Sequence, residues 1–333
     1  MARYDPSALD RRSFLKGAAA GLVLLPHADL SKMDVLAARR VTQVAIIRTS
    51  SRAEGVRRAM ALLAPGGVSG KRVVLKPNFN SADGGPASTH DDTLKQLVTE
   101  LKERDARSIT LGESSGPRGT VPVLEAKGTR DLARDMGFDV VNFDEIPDSD
   151  WIPVNPPGTH WPEGFHLPRL VTHAEYLVSA CCLKTHGSGG VFTMSMKLAV
   201  GLTPRPIRRP MHQSPDMRRM IAELNQGYRP NLIVMDGVEA FTDGGPSRGT
   251  LKQANVFVAG TDRVAVDAVG VAVLKELGSN DAIMGRPIFE QEQIARAVEV
   301  KLGVQSPSEI ALVSDDAEGS AYADKVGAIL AQG

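Results

Sequence analysis

Residues 176–187 read Tyr-Leu-Val-Ser-Ala-Cys-Cys-Leu-Lys-Thr-His-Gly. Eight uncharged, mostly apolar residues are followed by Lys184, Thr185, His186 and Gly187. An apolar run without polar alternation predicts a strand covered on both faces, as in parallel sheets. Its abrupt polar end predicts a carboxyl edge, which is where open α/β sheets bind ligands. The same punctuation recurs along the chain. Gln43–Arg48 (QVAIIR) is a first strand, and Arg72–Leu75 (RVVL) stops at Lys76-Pro77-Asn78-Phe79-Asn80. Ser108–Leu111 (SITL) stops at Gly112-Glu113-Ser114-Ser115-Gly116, and Asn231–Met235 (NLIVM) at Asp236-Gly237-Val238-Glu239. Further strands are expected at 139–143, 255–259 and 309–313. Helical spacing falls at 52–63, 91–104, 121–136 and 262–277, with Thr89 or Asp91 capping the second and Asp262 the last. The expectation is an α/β fold with a mainly parallel sheet, flanking helices, and a site at the C-terminal ends of the strands.

Of 333 residues, 42% are hydrophobic and 23% charged, which excludes disorder over most of the length. Lysine plus arginine equals aspartate plus glutamate at 39 each, so no global field directs the chain to nucleic acid or a membrane surface. Two cysteines cannot build a disulfide framework, a four-cysteine zinc site or an iron–sulfur cluster of the chain's own. Cys181 and Cys182 are neighbours on a strand, so they point to opposite faces as small buried residues. Residues 145–169 hold six prolines and both tryptophans and form an irregular excursion. It would separate two lobes, about 41–145 and 170–333, within one domain spanning 41–333. Residues 203–219 hold four prolines and five arginines around His212 and read as a basic lid.

Residues 1–40 read as an address. Asp10-Arg11-Arg12-Ser13-Phe14-Leu15-Lys16 precedes a mildly apolar stretch, Gly17–Leu25, and Pro26. Paired arginines in this setting resemble a twin-arginine signal. That implies translocation in the folded state to the periplasm or beyond, with the translocation machinery as a partner. Val35-Leu36-Ala37 is the best cleavage site, and retention of the tail as an anchor is the other outcome. No apolar run reaches the ~18 residues of a spanning helix.

The strand-end residues carry the functional reading. Lys76, Lys184, Lys197, His186, Asp236 and Glu239 combine both signs of charge with groups able to move protons. Asn78, Glu113 and Ser114 follow strands in the same manner. The loop Asp83-Gly84-Gly85-Pro86 is echoed by Asp243-Gly244-Gly245-Pro246 and, loosely, by residues 115–120. Such turns present backbone N–H groups to anions, so Gly244 and Gly245 are expected at the ligand. Arg208 and Arg209 would close over it. His186, His212 and Asp236 offer two nitrogens and a carboxylate, a set that suits one divalent transition metal. His90 is a further ligand candidate, while Asp267, interior to an apolar helix, needs a partner such as Lys197 or Lys76.

Several of these stretches together resemble one family. They are Lys76-Pro77-Asn78, Gly112–Gly116, Leu183–His186, Met196-Lys197 leading to Gly201, His212, Asp236–Glu239, Gly245-Pro246-x-x-Gly249 and Val264–Asp267. The family is the domain of unknown function 362, and the resemblance covers roughly residues 41–300. It implies that Lys76, Lys184, His186, Lys197, His212, Asp236, Glu239 and Asp267 belong to one site. Some relatives carry fused ferredoxin-like modules, which implies redox or metal chemistry; this chain lacks such a cysteine-rich segment. Two functions follow. One is an enzyme acting on a small anionic ligand, with or without a metal. The other is a carrier that holds an acidic ligand or metal for a redox partner.

Overall fold

The computed structural model describes residues 41–116 and 119–332. The twin-arginine stretch lies outside them, as does part of the third loop echo. The chain opens with β1 (Thr42–Arg48), α1 (Arg52–Leu63), β2 (Arg72–Pro77), α2 (Asp91–Glu103) and β3 (Ser108–Glu113). It continues through α3 (Thr120–Ala126), α4 (Thr129–Met136) and β4 (Asp139–Asn142). The proline-rich excursion contains β5 (Trp151–Val154) and β6 (Phe165–Pro168), which pair antiparallel as a separate ribbon. Then come α5 (Arg169–Thr172), β7 (Tyr176–His186), β8 (Val191–Thr193) and a 3₁₀ segment, Met196–Leu202. Helices α6 (Arg205–Gln213) and α7 (Met217–Leu224) precede a long hairpin of β9 (Leu232–Gly244) and β10 (Gly249–Gly260). The chain closes with α8 (Arg263–Glu276), α9 (Asp281–Met284), α10 (Glu292–Glu299), β11 (Ile310–Val313) and α11 (Ala317–Leu330).

The strands form one mixed, mostly parallel nine-stranded sheet in the order β11-β1-β10-β9-β7-β2-β3-β4, with β8 paired to β7. β10 runs antiparallel to both neighbours, and β8 antiparallel to β7. Strands from 41–145 and from 170–333 thus share a single sheet. The period of two explains why the strand sequences are apolar throughout. In β1, Val44 and Ile46 pack with α8, α10 and α11, whereas Ala45 and Ile47 pack with α1 and α2. β9 and β10 divide their side chains in the same way. The same alternation sends Cys181 into the α8 side of the core, while Cys182 lies near Thr89 and Asp236. A third cluster, built by Phe143, Trp161, Phe165, Leu167 and the apolar faces of α6 and α7, covers the β2–β7 half beside α8.

Local signals explain most boundaries. Ser51 caps α1, its Oγ accepting from Glu54 N, and Asp262 caps α8 by accepting from Val264 N and Ala265 N. α2 is capped by neither Thr89 nor Asp91: His90 does so, its Nδ1 accepting from Asp92 N at 3.1 Å. The imidazole expected as a metal ligand is therefore used at a helix end. The helix expected over 121–136 is two helices, because Gly128 sits in a left-handed conformation between them. Among the described residues no helix is long and apolar enough to cross a membrane.

Candidate functional site

At the C-terminal edge of the sheet, on the α6 side, lies a cavity of about 590 Å³. β2 ends into it with Lys76, Asn78 and Phe79, β3 with Glu113 and Ser114, and β7 with His186. The 3₁₀ segment supplies Lys197, and α6 supplies Arg205, Arg208, Arg209 and His212. The tip of the β9–β10 hairpin contributes Pro246 and Ser247. Residues 205, 208 and 212 follow the i, i+3, i+7 spacing of one helical face, so α6 turns a basic stripe toward the cavity.

The three lysines expected at the site have three different fates. Lys76 and Glu113 form a buried pair with Nζ–Oε1 at 2.5 Å, and Lys76 also donates to the Pro77 carbonyl at 2.6 Å. Glu113 accepts two further bonds, Oε1 from Ser114 N and Oε2 from Phe79 N. Burial lowers the Lys76 pKa, with Glu113 opposing the shift. Lys184 is fully buried and donates to Asn78 Oδ1, the Pro86 carbonyl and the Ala87 carbonyl at 2.8, 2.9 and 2.5 Å. It ties the first Gly-Gly-Pro loop to β7 and does not line the cavity. Lys197 alone of the three lines the cavity with no carboxylate paired to it among the described residues. Its partner is His212 Nε2 at 3.5 Å, the edge of hydrogen-bonding range. Burial, helped by the charge of Lys184, lowers its pKa to about 7.

The two cavity histidines stack with ring centroids 6.2 Å apart. Their tautomers follow from their partners. His212 Nδ1–H donates to the Arg208 carbonyl at 2.7 Å, so the neutral ring presents the Nε2 lone pair to Lys197. His186 Nδ1 accepts from Gly190 N at 3.3 Å, leaving Nε2–H as a donor. Burial, then the charges of Lys197 and His212, push the His186 pKa down to about 2, so this ring stays neutral. The His212 pKa is lowered for similar reasons, burial first and Lys197 second. The lid is bolted down. Arg208 donates to the carbonyls of Ser114, Ser115 and Thr203 and to Ser114 Oγ; Arg205 donates to the Ser115 and Gly116 carbonyls and to Asp144.

Asp236 and Glu239 are not in the cavity. β9 does not stop at Met235 but runs on to Gly244, so the period of two puts Asp236 on the face of Leu232 and Val234, toward α1 and α2. There Arg52 clamps both carboxylates, Nε to Asp236 Oδ2 at 3.0 Å and a terminal nitrogen to Glu239 Oε2 at 2.8 Å. Thr93 Oγ1 adds a bond to Asp236 at 2.7 Å. The structure thus brings His186 and His212 together without the carboxylate of the expected metal set. Among the described residues no three His, Cys, Asp or Glu side chains converge as a metal site. Gly244 and Gly245, both at positive φ, make the hairpin turn and are not among the residues that line the cavity. Gly245 N donates to the Arg248 carbonyl, and a Cβ at Gly245 would stand 2.1 Å from the Thr185 carbonyl oxygen. Asp267 pairs with neither lysine; its oxygens accept from Ser195 N at 2.8 Å and Met196 N at 3.0 Å, while burial raises its pKa to about 6.

Two contributors escaped the sequence reading. Arg205 was legible in the helical spacing of the basic stripe. Thr193 was not: it lines the cavity, is 8% exposed, and its hydroxyl has no hydrogen-bond partner among the described residues.

An α/β protein with a basic cavity at its strand ends is the class that fold and site define. Residues 73–272 match the model of the family described as Domain of unknown function (DUF362), and the chain belongs to that family. It is also similar to the thylakoid-associated protein sll1697 of Synechocystis sp., with 24% identity over 62% of this chain and 64% of that protein. This chain therefore spans less than two thirds of that relative's length. Among solved structures, the lactate racemase apoprotein from Thermoanaerobacterium thermosaccharolyticum aligns over 86% of this chain and 87% of its own, at 12% identity and a TM-score of 0.38.

Proposed function

We propose that the protein binds a small carboxylate- or phosphate-bearing molecule in the strand-end cavity and acts on it as an enzyme, with Lys197 and His212 handling the proton. The observation that carries this reading is the charge imbalance of the lining. Lys76, Lys197, Arg205, Arg208 and Arg209 face one lining carboxylate, Glu113, and that carboxylate is consumed by Lys76 and two backbone N–H groups. Charges of one sign gathered in a concave site focus their field and so favour an anion. With a pKa near 7, Lys197 is divided between ammonium and amine at neutral pH, the condition for an efficient acid or base.

Titration calorimetry of the full chain against dicarboxylates, hydroxy acids and phosphate esters tests the reading. A member of the panel should bind saturably, and Lys197→Met should weaken it by about tenfold or more, the loss of one charge-assisted hydrogen bond. A panel with no binder, or a variant that binds as well as the parent, would refute it. Binding without turnover would favour the carrier.

The chain is further proposed to reach its site of action through the twin-arginine route. The Arg11-Arg12 pattern supports this, and a relative named as thylakoid-associated is compatible with it. Replacing Arg11 and Arg12 together by lysine should hold the protein in the cytoplasm; unchanged fractionation would remove the proposal.

A further inference from the structure

Resting on the anion-binding reading, we propose that the ligand is a carbonyl-bearing anion of the 2-oxo acid class and that the Lys197 amine joins it covalently as an imine. An imine-forming lysine needs an accessible amine, a fixed backbone, a neighbouring base and an exclusion of competing carboxylates.

Lys197 meets each requirement. Lys76 is locked to Glu113 and Lys184 to three oxygens, whereas among the described residues the Lys197 amine has one hydrogen-bond partner, His212 Nε2 at 3.5 Å. Its backbone is held from two directions. Asp267 accepts from the N–H groups of Ser195 and Met196, and Asn225 Nδ2 donates to the Met196 carbonyl at 3.0 Å. Asn225 is itself fixed by Arg263 at 2.8 Å. The neighbouring base is His212, whose Nε2 lone pair faces the amine because Nδ1–H is spent on the Arg208 carbonyl. Arg209 lines the same cavity and makes no ion pair among the described residues, so it is available to the carboxylate of the incoming acid. The Thr193 hydroxyl, buried behind the lining, has no hydrogen-bond partner among the described residues.

The step balances without a further reagent. The neutral amine attacks the keto carbon, the C–N bond forms, and the carbonyl π pair moves to oxygen. His212 Nε2 carries a proton from nitrogen to that oxygen, giving the carbinolamine. A second N–H proton follows the same path, the C–O bond breaks, and water leaves with both protons. His186, held neutral, donates its Nε2–H to the carbonyl oxygen without taking up a proton.

Incubation of the full chain with glyoxylate or 2-oxoglutarate and cyanoborohydride, read by intact mass and peptide mapping, tests the assignment. One saturable adduct at Lys197 is expected, with mass equal to the acid joined through a reduced C–N bond. Lys197→Arg keeps the charge and should abolish it, with folding checked by circular dichroism. Adducts scattered over surface lysines, or none, would overturn the imine. Calorimetry with 2-hydroxyglutarate separates the two levels. If it binds while 2-oxoglutarate is not trapped, the covalent step fails and the anion site stands. If neither binds, both fail.

Discussion

Two clusters of charge sit at the carboxyl edge of one sheet, and they differ in whether their valences are filled. On the α1–α2 side, Arg52, Asp236, Glu239 and Thr93 satisfy one another, and the Gly84–Ala87 turn lies close by, an added Cβ at Gly85 standing 3.3 Å from the Arg52 guanidinium. On the α6 side, among the described residues, lining cations outnumber lining anions, an amine has one distant partner, and a buried threonine hydroxyl has none. The first cluster joins β9 to the two helices that cover it. The second leaves hydrogen-bonding capacity unfilled among the described residues. Proximity to a strand end is common to both, so it does not by itself mark a site; unfilled hydrogen-bonding capacity does.

Substitutions should separate the clusters, and the largest effect belongs to the closed one. Asp236→Ala leaves Arg52 half-paired and should cost about 3 kcal/mol, as for other broken buried ion pairs. Chemical denaturation would show it, with anion affinity of the surviving folded protein unchanged. A loss of affinity without a loss of stability would invert the assignment of the two clusters. Glu113→Gln should come next, at about 2 kcal/mol, because it strands the buried Lys76 ammonium. It should also tighten anion binding, since the cavity's one lining carboxylate becomes neutral; weaker binding would mean that Glu113 touches the ligand itself.

A pH series sharpens the contrast further. Lys197 has a folded pKa near 7, below its ordinary value of 10.5. Non-covalent affinity for a dicarboxylate should therefore fall as pH rises through 7, a step absent from Lys197→Met. Between pH 7 and about 10 the unfolded chain binds a proton that the folded chain does not, so this lysine makes stability rise with pH across that window. The smallest effect is expected at His90→Ala, about 1 kcal/mol for a lost cap, with no change in binding. A binding defect there would return His90 to the functional residues.

The fold was readable because apolar strands covered on both faces leave an unmistakable run, as in QVAIIR and YLVSACCL. What was hidden is the length of β9. Asp236 and Glu239 interrupt the apolar pattern and so imitate a strand end, but Arg52 neutralises them across 184 and 187 residues of sequence, and the strand continues. No local signal could reveal that distant arginine. For the same reason the three lysines look alike in sequence. Which amine is paired depends on Glu113, Asn78 and two loop carbonyls, all brought in by tertiary packing. Lys76, His186, Lys197 and His212 were legible because they end strands or punctuate an otherwise apolar or proline-rich stretch.

Asp267 reaches the 3₁₀ segment from α8, whose residues from Arg263 to Leu274 are all buried. The backbone before Lys197 is thus held from the protein's interior, while Arg209, Pro246 and Ser247 stand on α6 and the hairpin tip. Descent with modification can redraw the rim without moving the benchmark. One inherited chemistry could then be offered to many different molecules, and relatives would be expected to differ most at Arg209, Pro246 and Ser247 and least at Asp267.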